Sequence, residues 1–157
     1  MANPPTLHAV IFRIGALNCA APAGIVREIL PPLPATRVPG VADAVQGLVN
    51  VRGSLLTVVD GHRLLRQERR AEDEGAIVVL EVGGKRYGLG VSQVVDFLEV
   101  PERAIAPQAD LPGVDPRYVR AVGLLDDRPF LMLDLDALYG PLMGDTAATR
   151  KPGGDGS

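Results

Sequence analysis

The chain repeats itself, and the repeat runs in two registers. Ile14-Gly15 matches Val82-Gly83 at a spacing of 68 residues, and Glu28-Ile29-Leu30 falls on Asp96-Phe97-Leu98 at the same spacing. Further on, Val45 falls on Val119 and Val58-Val59-Asp60 on Met132-Leu133-Asp134, now at a spacing of 74. The change is absorbed in the proline-rich stretch 101–116, in a loop where added residues cost little. No gap is needed inside a strand-like run. Two copies of one short-stranded unit restrict the chain to a pair of similar all-β modules, each of about five strands and a helical turn. Small barrels would remove the exposed edges that such strands otherwise present.

The strands are read from apolar, β-branched runs broken by turn residues. In the first unit these are 8–14, 17–21, 48–51 and 55–59, and in the second 76–82, 85–91, 119–125 and 130–135. Residues 22–30 fit either a short helix or a half-buried strand, and 92–100 resemble them. Residues 61–67 and 136–139 read as helical turns. The run 68–74, E-R-R-A-E-D-E, reads as a solvated charged stretch, 1–7 as a frayed lead-in and 144–157 as disordered. The expected domain is single and spans 8–140. Its first barrel unit covers about 8–67 and its second about 76–140, with strands exchanged between them.

The repeat also separates shared residues from private ones. Asp60 and Asp134 occupy matched positions, each ending a strand before a helical turn, where a carboxylate caps free backbone N–H groups; a ligand role is the alternative. The hairpin 47–60, G-L-V-N-V-R-G-S-L-L-T-V-V-D, carries two polar residues that do not recur. Arg52 falls on Asp126 and Asn50 on Leu124. Arg52 stands at the tip beside Gly53, which can take the positive φ of a tight turn. Period-2 geometry puts Arg52 on the same face as Asn50. Arg52 is either a turn cation in a surface salt bridge or an interface anchor.

Composition narrows the function. The 157 residues suffice for one domain, and aromatic residues make up only 4% of them, so the core is aliphatic. A net charge of −3 does not fit a nucleic-acid surface or a polybasic membrane patch. No run is long enough to span a bilayer and no signal segment is present, which suggests a cytoplasmic protein. The single cysteine, Cys19, excludes an internal disulfide and reads as a small buried hydrophobe. His8 and His62 stand alone, without neighbours at metal-ligand spacing, and read as surface residues. The glycine-rich 83–90 lacks phosphate-loop spacing and reads as a hairpin. No metal, cofactor or catalytic constellation is apparent, so a non-enzyme is expected. A small-molecule-binding barrel would need a deep polar pocket with perturbed titrating groups.

The hairpin 47–60 resembles the N-L-R-G signature of CheW-like domains, the coupling modules of bacterial chemotaxis arrays. Ile25-Val26-Arg27-Glu28-Ile29 resembles the family's V-x-E-I segment, and 34–40 its P-x-P-x-V-P-G loop. Residues 79–95 and 123–138 are similar to its later blocks. The resemblance covers about 8–140. It implies two SH3-like five-stranded β-barrels packed together, with short helical turns, and a function without catalysis. The implied partners are the regulatory domain of the histidine kinase CheA and the cytoplasmic tip of methyl-accepting chemoreceptors. Carried over by position, the partner-binding residues are Val26 and Glu28, then Gly47, Asn50 and Arg52, then Ile77, Gly88 and Phe97. Recruitment to receptor arrays would follow, with no direct membrane insertion. Two departures stand out. Thr57 replaces the family's Pro. Gly61 replaces its Leu, removing an apolar contact of about 1–3 kcal/mol if that side chain is buried. They leave open a diverged module of a pilus, gliding or other chemosensory-like system.

Overall fold

A computed structural model describes residues 6–107 and 114–140. The tail 144–157 and part of the proline-rich loop lie outside the described residues. Eleven strands are present among those described: β1 (Thr6–Ile14), β2 (Leu17–Pro22), β3 (Val26–Leu30), β4 (Val45–Val51), β5 (Ser54–Asp60), β6 (Ala76–Val82), β7 (Lys85–Val91), β8 (Gln93–Pro101), β9 (Ile105–Pro107), β10 (Val119–Leu125) and β11 (Arg128–Leu133). A five-residue helix, α1 (Gly61–Leu65), follows β5, and residues 135–140 are helical after β11. The ambiguous segment 22–30 resolves into a 3-10 turn at Ala23–Ile25 and the strand β3. Leu135, expected at the end of a strand, begins the terminal helix instead.

The strands form two sheets. One has the order β8-β1-β2-β11-β10-β9 and the other β3-β6-β7-β5-β4. Each sheet draws strands from both sequence halves: the β1–β2 hairpin of the first half sits beside strands of the second. Apart from β9, which has only the isolated Thr36–Leu48 bridge as its counterpart, the registers obey the repeat residue by residue. The one parallel contact in each sheet pairs Leu131 with Cys19 and Thr57 with Tyr87, which are matched positions. A register shift falls between Val45 and Gly47 in one sheet and between Val119 and Ala121 in the other, again matched. This is the all-β, two-barrel architecture the resemblance implies.

Three apolar clusters explain the arrangement. Val10, Phe12 and Ile14 of β1 face Val78, Leu80 and Val82 of β6 in a shared core between the sheets, closed by Leu65, Leu138 and Tyr139. The alternate residues Ala9 and Ile11 fill one barrel with Val100, Phe130 and Met132. Ile77 and Val79 fill the other with Leu56, Val58 and Val49. Strands β1 and β6 are thus covered on both faces, which is why they read as unbroken apolar runs rather than alternating ones. Cys19 lies in the shared core, where burial pushes its thiol up to about 12. Tyr139 stacks on Tyr87, ring centroids 4.5 Å apart, and donates its hydroxyl to the Gly88 carbonyl at 2.9 Å, fastening the last helix to the β3–β7 barrel.

Two expectations are corrected. His62 is not a surface residue: its side chain is 4% exposed, because α1 lies against the shared core. The run 68–74 is not simply solvated. Arg69 donates to the buried Asp60 at 2.6 Å, and Asp73, itself largely buried, is hydrogen-bonded by Arg13. The repeat could not show this, since the run lies between its two copies.

Candidate partner-binding site

The eight candidate residues fall in four places. Glu28, Asn50 and Arg52 meet at the open mouth of the β3–β7 barrel. Gly47, Ile77 and Gly88 are buried in the same barrel. Val26 is half-buried against the shared core. Phe97 lies on β8, at the edge of the other sheet, 63% exposed.

The mouth is built by the β4–β5 hairpin. Val51 pairs with Ser54, so Arg52 and Gly53 are the two central residues of the turn, with φ of 50° and 87°. Both are left-handed, the geometry that matches the twist of a two-residue hairpin. An arginine there is uncommon and held by its surroundings. Asn50 accepts the Gly53 N–H through Oδ1 at 2.9 Å and so braces the turn. Arg52 is therefore a turn residue and does not share a strand face with Asn50, contrary to the period-2 expectation. Its guanidinium reaches across to β3, where Nη2 donates to Glu28 Oε1 at 2.5 Å. That hydrogen bond holds the Glu28 carboxyl below its usual range and raises Arg52, so both stay charged at neutral pH. Leu56 and Val79 floor a cavity of about 430 Å3, and Lys85 and Arg86 add two more cations to its rim. Leu55 stands at that rim 68% exposed. The mouth therefore offers one carboxylate, three cations and a bare leucine. Leu55, Lys85 and Arg86 escape sequence reasoning; the alternation of exposed Leu55 with buried Leu56 is the available signal.

The buried candidates have structural reasons for their identity. At Gly47, φ is 143° and a Cβ would strike the Thr36 carbonyl, whose backbone pairs with Leu48 through two hydrogen bonds of 2.8 and 2.9 Å. A Cβ on Gly88 would lie 2.8–3.1 Å from Val58, Ile77 and Leu56, inside the barrel. Ile77 is part of that same core. None of the three presents a side chain to a partner. Gly61 is likewise enclosed: a Cβ there would stand 2.6 Å from the Gly90 carbonyl and 2.8 Å from Ile14 Cδ1. This chain has closed over the position where the family carries Leu, so the departure leaves no hole.

Asp60, His62 and Ser92 form a line in the order of an acid–base–nucleophile triad. His62 Nε2 is 2.7 Å from Ser92 Oγ, and Nδ1 is 3.4 Å from Asp60 Oδ1. Ser92 is 1% exposed and its Oγ already accepts the Gly15 N–H at 2.9 Å, so no substrate can reach it. Asp60 caps α1, accepting the His62 N–H at 2.9 Å. Asp134 does the same for the last helix through the Ala137 N–H at 3.0 Å. Among the described residues no group of His, Cys, Asp or Glu is arranged to hold a metal ion, and no helix is long and apolar enough to cross a membrane.

Known proteins are similar to this chain over most of its length. The family model of the CheW-like domain matches residues 8–140. A chemotaxis protein CheW of Rhizobium meliloti is 31% identical over 132 residues, covering 83% of this chain and 85% of that protein. Protein PilI of Pseudomonas aeruginosa is 35% identical over a shorter stretch, 62% of this chain and 55% of that one. Among solved structures, scaffolding protein TtCheW from Thermoanaerobacter tengcongensis superposes with a TM-score of 0.75 at 21% identity, covering 84% of this chain and 90% of that one, a likeness of fold. With its repeat, its two barrels and these matches, the chain belongs to the CheW-like domain family.

Proposed function

We propose that this protein is a non-catalytic adaptor that couples methyl-accepting chemoreceptors to the histidine kinase CheA. It docks the kinase's regulatory domain at the mouth formed by Glu28, Arg52 and Leu55. The observation that carries this reading is the Arg52–Glu28 pair. A salt bridge whose cation is mostly exposed adds little to stability, yet here it fixes a charged fork beside an exposed leucine. Arginine is enriched at interface hot spots, and the exposed Leu55 beside it adds apolar surface that a partner would bury. Phe97 and Val95, exposed on the edge strand β8, offer a second apolar contact on the other barrel, suited to a receptor tip.

Co-purification tests the reading. Arg52→Asp should abolish capture of the CheA regulatory domain while the thermal transition stays in place. Unchanged capture of both kinase and receptor by Arg52→Asp would overturn the assignment. The genomic neighbours of the chain would separate a chemotaxis kinase from the kinase of another chemosensory-like system.

A further inference from the structure

The chain crosses between its sheets at two matched junctions, and only one is filled with polar side chains. At that junction β7 ends at Val91, β8 begins at Gln93, and Ser92 makes the crossing. The Ser92 N–H donates to the Arg13 carbonyl at 2.8 Å, and its own carbonyl accepts the Gly75 N–H at 3.1 Å. Its Oγ accepts the Gly15 N–H and lies 2.7 Å from His62 Nε2. One buried serine thus ties together β1, the β1–β2 turn, the entry to β6 and α1. At the matched positions of the other junction stand Gly24 and Asp136, both exposed, and the space there is an open groove of about 630 Å3.

We propose that His62 is a proton-operated latch on the filled junction: when neutral it holds the β7–β8 crossing, the β1–β2 turn and the linker 66–75 together, and when protonated it releases them. The geometry sets the direction. Asp60 faces His62 from β5, Arg63 lies on α1 itself, Arg69 and Asp73 come from the linker, and Arg13 comes from β1. Each carboxylate already has an arginine partner, although Asp60 Oδ1 also stands 3.4 Å from His62 Nδ1. Asp60 Oδ2 accepts from Arg69 at 2.6 Å with Arg63 at 3.6 Å, and Asp73 accepts from Arg13. His62 Nδ1 makes no hydrogen bond. A proton on this ring would add a cation to a closed site whose carboxylates are matched. Burial first, and then the Arg69 charge, hold the imidazole below its usual 6.5, while Asp60 and Asp73 pull less strongly the other way. A group depressed in the folded state contributes stability that is complete above its unfolded pKa and is lost as pH falls through its folded one. For one proton the loss is at most about tenfold per pH unit.

Hydrogen–deuterium exchange on the full chain tests this. The amides of Gly15, Gly75 and Ser92 report the junction, and those of Val78 and Leu80 report the shared core. Between about pH 7.5 and about pH 5.5, corrected for intrinsic exchange, the junction amides should lose protection before the core amides. In His62→Gln, which keeps a polar group but does not titrate in this range, the loss should disappear. Unchanged junction protection in the natural protein, or an equal loss in His62→Gln, overturns the proposal. Should His62→Gln fail to fold, the ring of His62 can be titrated by NMR in His8→Gln, where it is the one histidine left. Its midpoint must coincide with the loss of junction protection, and a midpoint that does not coincide overturns the proposal equally.

Discussion

The two barrel mouths are the same construction with opposite charge. Glu28, Arg52, Leu56 and Val79 line one, and the matched Asp96, Asp126, Phe130 and Ile11 line the other, each around a cavity of about 430 Å3. Both hairpins turn through two left-handed residues, Arg52-Gly53 in one and Asp126-Asp127 in the other. The fold therefore asks for a tight turn and tolerates either sign of charge on it. Arg52 bonds Glu28 across its mouth, whereas the matched Asp126 and Asp96 are of like charge, with Arg128 lining the same cavity. Arg52 is thus free to be chosen for what binds there.

Below the mouths the barrels are filled differently. In one, the Phe130 ring lies over Gly123, where a Cβ would collide with it; in the other, Leu56 and Val49 occupy those matched positions. Volume has moved from one side of the pair to the other. Phe130→Ala should have the largest effect of the changes considered, about 3–5 kcal/mol in urea unfolding. Leu56→Ala, whose neighbour Val49 is larger than Gly123, should cost less. Equal losses would show that the two fillings are not alternatives. Next comes Gly88→Ala. It copies Ala20, the matched residue of the other barrel, yet should cost about 1–3 kcal/mol, because Val58, Ile77 and Leu56 leave no room. A neutral Gly88→Ala would break the comparison. Smaller again is Asp134→Ala, a helix cap worth about 0.5–2 kcal/mol. Asp60→Ala should exceed it, since Asp60 also anchors Arg69 and faces His62.

Much of this is legible in the sequence. The two spacings hold in the hairpins, in the parallel pairs and in β1–β8 against β3–β6, because register is set by side-chain alternation and turn length, both local properties. They fail at β9, where Ala106 pairs with Val122 as Thr36 pairs with Leu48. The pairing of β1–β2 with β11 rather than with β4–β5 is a long-range choice that leaves no local mark. His62 is unreadable for a related reason. Its burial follows from where α1 lands, and its partners Ser92 and Asp73 are distant in sequence or hidden within a charged run. Resemblance alone marks Gly47 and Gly88 as partner contacts. Only the Thr36 carbonyl and the Val58, Ile77 and Leu56 side chains show why no other residue fits. Arg52 and Glu28 each stand out in the sequence but not as a pair, since 24 residues separate them.

The smallest expected effect on stability carries the largest consequence for binding. Exchanging the two charges, Glu28→Arg with Arg52→Glu, keeps an ion pair across the mouth and inverts what it offers a partner. Titration calorimetry of that double variant against the CheA regulatory domain, beside its thermal unfolding, tests the central claim. The expected result is an unfolding transition close to the natural protein's and an affinity weakened by about tenfold or more. A double variant that binds with unchanged affinity would show that the pair only clamps the hairpin and that partners dock elsewhere.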